Sequence, residues 1–266
     1  MEVQNRGLIG SITHSIHKKA DLNDCSPMRY IVRAMLACLF LTMGVSIASF
    51  IAEKSNHMVD GLGKFTYAFM FSWSLIMIIY MNAELGTSNM MYMTMAIHRK
   101  ILPAPKAIRI LITCILFNAV GAVIASFFIA KTAAYTNLPA NHFLFEAVTA
   151  KLAKTPVQQF CEGIFANVIV NTAVFCSIRM KDDAGKVFSM IFIIFIFAFL
   201  GFEHVIANFS TFALAFFANG GPVEGMTFFS VISNFFFATL GNYVGGGLVI
   251  GLLYSWLNNK SELYFD

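Results

Sequence analysis

The chain has 266 residues, of which 58% are hydrophobic and only 12% are charged. Soluble domains carry about 25% charged residues, so this composition excludes an ordinary soluble enzyme and predicts an all-α integral membrane protein. The net charge of +4 comes from residues in short polar segments rather than on one basic face, and no nucleic-acid partner is expected. No metal-ligand spacing is visible, so neither a metal nor another cofactor is expected.

The N-terminal segment, residues 1–26, precedes the first apolar run. Leu8, Ile9, Ile12 and Ile16 recur at helical spacing with polar residues on the other faces, which predicts a short amphipathic helix. Such a helix is expected to lie at the membrane surface. A plain polar tail fits the pattern equally well, and a helix covering the mouth of a pore is a further alternative.

Six apolar segments follow, each compatible with the roughly 20 residues that cross a bilayer core. Polar residues interrupt two of them, at 82–89 and 201–208. Irregular backbone is tolerated at membrane depth only where it is buried in protein or lines a cavity, so both segments are predicted to be broken helices. Hydropathy alone also allows seven or eight shorter segments. The six predicted spans are Ala34–Ala52, Phe65–Met81 continued by Met90–Ile97, Ile110–Ala130, Val157–Ile178, Val187–Phe217 and Thr227–Leu257.

Lysine and arginine are more numerous on the side that holds both termini. By the positive-inside rule both termini are therefore expected in the cytoplasm, with the long 131–156 loop outside. Short loops and the lack of a visible targeting segment favour a multi-pass protein of a cell inner membrane. The predicted organisation is a cytoplasmic N-terminal segment at 1–26, a transmembrane domain at 27–258 and a cytoplasmic tail at 259–266.

The two polar interruptions carry the same marks. In both, a glutamate is followed five residues later by an asparagine, at Glu84 and Asn89 and at Glu203 and Asn208. An Asn-x-Val-Gly motif also occurs in each half, beginning at residues 118 and 242. Because each half holds three spans, the second half enters the membrane with opposite polarity. The pattern predicts an inverted 3+3 repeat, with halves at about 27–130 and 157–258 and a permeation site near the midplane.

Glu203 and His204 lie inside an otherwise apolar run. An ionisable group at membrane depth costs about 2.5 to 3.5 kcal/mol on insertion scales, so it usually faces a bundle interior or a water-filled path. Glu203 and Glu84 are predicted to be structural and to accept backbone N–H groups freed at the breaks. His204 is a side chain that titrates near neutral pH, although a neutral histidine satisfied by neighbouring groups is an alternative.

Three stretches together resemble the formate/nitrite transporter family. They are Ala-Glu-Leu-Gly-Thr-Ser-Asn at 83–89, Gly-Phe-Glu-His-Val-Ile-Ala-Asn at 201–208 and Leu-Gly-Asn-Tyr-Val-Gly-Gly-Gly at 240–247. The likeness runs from about Pro27 to Leu257 and is nearest to the hydrosulfide channel branch. It implies an aquaporin-like fold and a homopentamer with one pore in each protomer. The sequence lacks the paired Asn-Pro-Ala motifs of aquaporins, so water or glycerol selectivity is not indicated.

The same resemblance implies a polar pore centre between two apolar constrictions. His204 would face Thr87 across the pore. The outer constriction would be Phe71 with Phe197, and the inner constriction would be Leu75 with Leu85.

Further residues have implied roles around this pore. Lys151 matches a lysine that attracts anions at the outer vestibule, whereas Lys154 is expected to be only a solvated charge. Asn167 matches a position that supports the first interruption, and Asn89 and Asn208 are expected to support the two loops.

These observations predict a channel for small weak-acid anions in the lipid bilayer, with hydrosulfide first and formate or nitrite next. A bare anion loses several kcal/mol on desolvation, so it would cross as the neutral acid after taking a proton from water or from His204. Proton-coupled symport through the same histidine is the alternative. A membrane-embedded enzyme or a receptor is more remote, because the sequence shows no nucleophile motif.

Overall fold

The computed structural model describes residues 7–258, and every element of regular structure within that range is helical. The tail predicted at 259–266 lies outside the described residues. The α-helices of this range are α1 (Gly7–Cys25), α2 (Pro27–Met58), α3 (Leu62–Phe71), α4 (Trp73–Tyr80), α5 (Gly86–His98), α6 (Ala104–Ala130), α7 (Phe143–Leu152), α8 (Pro156–Arg179), α9 (Asp183–Leu200), α10 (Val205–Asn219), α11 (Phe228–Asn242) and α12 (Leu253–Leu257). A short 3₁₀ turn at Ala133–Tyr135 precedes α7, and a π-helix at Tyr243–Leu252 joins α11 to α12.

Among residues 7–258, six helical stretches are long and apolar enough to cross a membrane. Each overlaps one predicted span, so the prediction of an all-helical membrane protein with six such stretches is confirmed. The helices run beyond the apolar segments because polar end residues continue the backbone hydrogen bonding outside the hydrocarbon layer. The six stretches are Pro27–Met58, Leu62–Tyr80, Ala104–Ala130, Pro156–Arg179, Asp183–Leu200 and Phe228–Leu257.

Local sequence signals set several helix starts. The Thr155 hydroxyl accepts the Gln158 N–H at the start of α8, and the Gln158 side chain accepts from the Thr155 backbone, which forms a capping box. Pro156 occupies the first turn, where a missing N–H costs nothing. At α9 the Asp182 carboxylate accepts the Gly185 N–H. These caps place the boundaries of α8 and α9 close to those predicted from sequence.

Helical structure stops twice inside the bundle. The first loop (residues 81–85) separates α4 from α5, and the second loop (residues 201–204) separates α9 from α10. Each loop contains a residue in the left-handed region, Asn82 with φ 51° and Gly201 with φ 72°. The helix that follows each loop packs on a helix from the other half of the chain: α5 packs on the π-helix, and α10 packs on α6.

Helix α1 packs on the protein. Leu8, Ile12 and Ile16 are buried, and they belong to one apolar cluster with methionines of α5 that include Met91 and Met95. The sequence correctly predicts a helix here, and its apolar face is covered by protein. Flexible methionine side chains fill irregular gaps well, and α5 thereby offers α1 a protein surface in place of lipid.

The long connection between α6 and α8 is partly helical. Helix α7 (Phe143–Leu152) was expected to be loop, because at ten residues it is too short to register as a span. Its N-terminus is fixed by the His142 ring, which accepts the Leu144 N–H, and by Glu53 of α2, which accepts the Phe143 N–H at 2.8 Å. Helix α7 carries Lys151 to the edge of the second loop.

Candidate functional site

Two asparagines hold the two loops in the same way. The Asn118 side chain of α6 accepts the Gly86 N–H at 2.8 Å and donates at 2.9 Å to the carbonyl two residues earlier. The Asn242 side chain of α11 accepts the Val205 N–H at 2.9 Å and also donates at 2.9 Å to the carbonyl two residues earlier. Each amide satisfies backbone groups that a break in a buried helix would otherwise leave unpaired.

The loop glutamates accept from side chains. Glu84 accepts from Asn89 Nδ2 at 3.1 Å and from Lys19 Nζ of α1 at 2.5 Å. Glu203 accepts from Asn208 Nδ2 at 2.6 Å. The expectation that these carboxylates take freed backbone N–H groups is wrong, because the asparagines of α6 and α11 already occupy those groups.

Glu203 is fully buried and has further partners on three elements. Its carboxylate accepts from Asn234 Nδ2 of α11 at 3.0 Å, from Lys151 Nζ at 3.1 Å and from Lys154 Nζ at 2.7 Å. A buried carboxylate requires charge partners and hydrogen bonds of this kind. Burial lowers the pKa of Lys151 below its usual value, because the effect of Glu203 does not fully offset desolvation and the nearby charge of Lys154.

Lys154, between α7 and α8, stabilises the second loop. Its ammonium donates to Glu203, to Glu162 at 2.5 Å and to the Gly201 carbonyl at 2.7 Å. The expectation that Lys154 is only a solvated charge is therefore wrong. Burial lowers its pKa, but the two carboxylates outweigh this effect and raise the pKa above its usual value.

The second loop meets the first turn of α5 at His204 and Thr87. The distance between His204 Nε2 and Thr87 Oγ1 is 2.8 Å, and both side chains are buried. His204 Nδ1 accepts a hydrogen bond from the Ala207 N–H at 3.1 Å. A neutral ring therefore carries its proton on Nε2, and this N–H donates a hydrogen bond to Thr87 Oγ1. The Thr87 carbonyl accepts from Asn167 Nδ2 at 3.1 Å. The structure thus joins three residues that the sequence singled out.

The apolar candidates lie on either side of this pair. The Phe71 and Phe197 rings are in edge-to-face contact, with 5.8 Å between their centroids and 80° between their planes. The Phe197 ring is also 5.9 Å from the His204 ring. Leu75 and Leu85 are buried, and both belong to the same core cluster as the two phenylalanines.

Two wide cavities approach the site from opposite ends. The α7 vestibule, of about 420 Å³, lies between α3, α7 and α9 and reaches His204. Its cations are Lys64, Lys151 and Lys154. The α1 vestibule, of about 280 Å³, is lined by residues of α1 that include Lys19, and by the first loop.

A small cavity of about 20 Å³ lies between the two vestibules. It shares Phe71, Phe197 and His204 with the α7 vestibule. It shares Leu75 and Leu85 with the α1 vestibule. This volume is about that of one water position. The three cavities are therefore adjacent, and the smallest shares phenylalanines with one vestibule and leucines with the other.

Sequence reasoning missed three residues of the site. The partners of Lys19 and Asn234 are 65 and 31 residues away, at Glu84 and Glu203 respectively, and no local pattern reports such contacts. Lys154 did carry a signal, since it follows Lys151 by three residues at the approach to α8. Both lysines precede a span and form ion pairs with the buried Glu203, so neither is merely a solvated loop charge.

A model of the family described as "Formate/nitrite transporter" matches residues 7–256. The chain belongs to this family. It is 31% identical over 240 residues to the formate-nitrite transporter of Plasmodium falciparum, with 85% of this chain and 77% of that protein covered. It is 30% identical over 262 residues to a probable formate transporter of Methanothermobacter thermautotrophicus, with 91% and 93% covered. These relatives are named transporters, not enzymes.

Solved structures share the fold. A structure described as an FNT family ion channel superposes with a TM-score of 0.85 at 22% identity, covering 94% of this chain and 98% of that one. A structure described as a pentameric formate channel with formate bound gives a TM-score of 0.74 at 24% identity, covering 86% and 96%. The fold of this chain is thus that of formate/nitrite transporter family channels.

Proposed function

We propose that the chain is a channel for small monovalent weak-acid anions. The observation that carries this proposal is the arrangement of three cavities, in which a small cavity shares lining residues with each of two vestibules that contain lysines. The proposed pore centre is His204 with Thr87, and the proposed necks are Phe71 with Phe197 and Leu75 with Leu85.

Hydrosulfide is the first proposed substrate, followed by formate and nitrite. The hydrosulfide assignment rests on the loop motifs at 83–89 and 201–208. Formate and nitrite are supported by the relatives, which are named formate-nitrite transporters, and by the likeness to a formate channel with formate bound. All three anions are conjugate bases of small weak acids, so one mechanism serves them all.

The proposed mechanism is transfer of the neutral acid. An anion in the middle cavity would lose its water shell, at a cost of several kcal/mol. Lys151 raises the local anion concentration in the α7 vestibule, and water there supplies the proton. The Thr87 hydroxyl accepts a hydrogen bond from His204 Nε2–H, so its own O–H can donate a hydrogen bond to the passing molecule.

His204 acts as a neutral donor in this mechanism. Its Nδ1 caps α10 by accepting the Ala207 N–H, and protonation of Nδ1 would break that cap. This contact weakens the proton-coupled symport alternative, in which the ring would bind and release a proton in every cycle. It also favours water over His204 as the proton source considered from the sequence.

The assembly and topology belong to the same proposal. We infer a homopentamer in a cell inner membrane with both termini cytoplasmic, which places the α1 vestibule inside and the α7 vestibule outside. The matched hydrogen bonds of Asn118 and Asn242 support an inverted repeat with two broken helices, with halves at about 27–130 and 157–258. Residues 1–26 are proposed as a cytoplasmic segment.

Stopped-flow uptake in proteoliposomes tests this function. The purified protein is expected to move hydrosulfide, formate and nitrite at rates that rise as external pH falls, and to move chloride at least about 100-fold more slowly, because chloride has no neutral acid at these pH values. Thr87→Val removes the central hydroxyl and should slow all three weak acids. Thr211→Val, which deletes a hydroxyl in the α7 vestibule that bonds only within α10, is the matched control.

Two results would contradict the proposal. Uptake that follows the anion concentration without regard to pH would exclude the neutral-acid mechanism. Accumulation of formate against its own gradient, driven by a proton gradient beyond the equilibrium of the weak acid, would establish symport instead.

A further inference from the structure

The lysines of the α7 vestibule differ in how many donors they have left. An ammonium group has three N–H donors. Those of Lys154 are all engaged, by Glu162, Glu203 and the Gly201 carbonyl. Lys151 has two engaged, by Glu203 and by the Phe202 carbonyl at 3.4 Å. An anion entering this vestibule therefore finds one donor on these two residues together.

Lys64 is in a different state. It is exposed, lines the same vestibule, and makes a contact with the Phe199 ring, whose centroid is 5.5 Å from Nζ. Within residues 7–258, no carboxylate lies within ion-pair distance of Lys64, whereas Lys151 and Lys154 share Glu203. All three of its donors and its full charge are thus available to a solute.

The position of Lys64 on α3 connects it to the neck. Tyr67 follows after three residues and Phe71 after seven, so the three side chains lie along one face of the helix. All three line the α7 vestibule. Seven residues of helix span about 10 Å. A solute bound at Lys64 is therefore two helical turns from the ring of Phe71 that begins the neck.

We propose that Lys64 forms an anion-binding subsite at the entrance of the α7 vestibule, where small monovalent anions bind before they reach Phe71. This subsite rests on the channel function proposed above and assigns its first step to a particular residue. Lys154 then serves to neutralise Glu203, whereas Lys151 neutralises Glu203 and also attracts the anion with its remaining donor.

The test compares Lys64→Gln with Lys64→Arg and with Lys131→Gln. Lys131 lies at the end of α6, is exposed and does not line the vestibule, so its substitution removes the same charge elsewhere. At low ionic strength, Lys64→Gln is expected to raise the KM for external formate about three- to tenfold without changing the maximal rate. Lys64→Arg and Lys131→Gln should stay within about twofold of the native protein. At 1 M impermeant salt, where the Debye length is about 3 Å, Lys64→Gln and native protein should converge.

A second measurement separates this inference from the channel function. Titration of purified protein in detergent with ¹³C-labelled formate reports binding without transport, and Lys64→Gln should weaken it by a similar factor. If the native protein binds formate through Lys64 but moves no anion, the subsite stands and the channel proposal fails. If the native protein transports formate and Lys64→Gln behaves as Lys131→Gln does, the subsite is refuted. A lower maximal rate at unchanged KM would also refute it.

Discussion

The first and second loops share one backbone scheme and differ in the cations that hold them. Asn118 and Asn242 pair equivalent backbone groups with nearly equal distances. The second loop's glutamate, Glu203, is fully buried and is paired with two lysines, Lys151 of α7 and Lys154 of the connection before α8. The first loop's glutamate, Glu84, has one cation, Lys19, which comes from α1.

The cations of the two loops therefore come from different parts of the molecule: those of the second loop belong to the helical bundle, and that of the first loop belongs to the peripheral helix α1. The cations of the second loop are anchored by α7 and α8 within the transmembrane domain. The cation of the first loop depends on α1, whose C-terminal end is held by ion pairs of Asp24 with Lys106 and Arg109, both at 2.6 Å. The first loop is thus the one whose charge balance changes when a peripheral helix moves.

The largest expected effect is on Glu203. Glu203→Leu leaves Lys151 and Lys154 without their shared carboxylate, and removing one partner of a buried ion pair costs about 3 to 5 kcal/mol. Glu84→Leu should cost less, because Glu84 has one lysine and one asparagine as partners, whereas Glu203 has two of each. Thermal unfolding of purified protein measures both, with Glu146→Leu on the exposed face of α7 as control. Equal losses at the two glutamates would remove the proposed distinction.

The asparagines should instead give equal effects. Asn118→Leu and Asn242→Leu each leave one buried N–H unpaired, that of Gly86 or Val205, at a cost of about 1 to 3 kcal/mol. Hydrogen exchange should rise at the amides of Gly86 and Val205 respectively, while the exposed substitution Asn141→Leu should change neither. A large effect in only one of the two variants would show that the shared scheme does not stabilise the two loops equally.

The smallest effect concerns the attachment of α1. Asp24, near the end of α1, accepts a hydrogen bond from Lys106. This bond, together with the charges of Lys106 and Arg109, lowers the pKa of Asp24. Because the folded pKa lies below the unfolded value of 3.8, this contribution is present above about pH 4 and is lost as pH falls through the folded pKa. Asp24→Asn should therefore raise hydrogen exchange in α1 roughly two- to fivefold at neutral pH.

Asp21→Asn, at an exposed position of the same helix, is the control for that experiment. Exchange in the native protein and in the control should approach that of Asp24→Asn when all are compared at the same pH below 4. If Asp24→Asn and Asp21→Asn exchange identically at neutral pH, the ion pairs do not hold α1.

The sequence predicted the features that depend on residues close together in the chain. Apolar runs of sufficient length marked the six membrane-crossing stretches, and the five-residue spacing of Glu84 with Asn89 and of Glu203 with Asn208 recurs as two hydrogen bonds. Polar residues inside apolar runs marked the points where helices end at Tyr80 and Leu200.

What the sequence did not predict depends on contacts between distant segments. The pairing of Lys19 with Glu84 needs α1 to fold back on the bundle, and the short α7 has no hydropathy signal of its own. The π-helix at Tyr243–Leu252 contains three consecutive glycines, where Gly245 lies against the Ile164 carbonyl and Gly246 against Asn167. Such a wide turn is set by tight packing against α8, which no single-segment propensity contains.

The narrowness of the middle cavity has a consequence for the energy balance of a cell. Its volume of about 20 Å³ holds one water position, and the walls on both sides are phenylalanine and leucine side chains. A continuous chain of water molecules cannot form through such a small cavity, so protons have no hydrogen-bonded chain along which to transfer. In this conformation, protons would cross the proposed pathway only together with a permeating weak acid and not along a chain of water molecules.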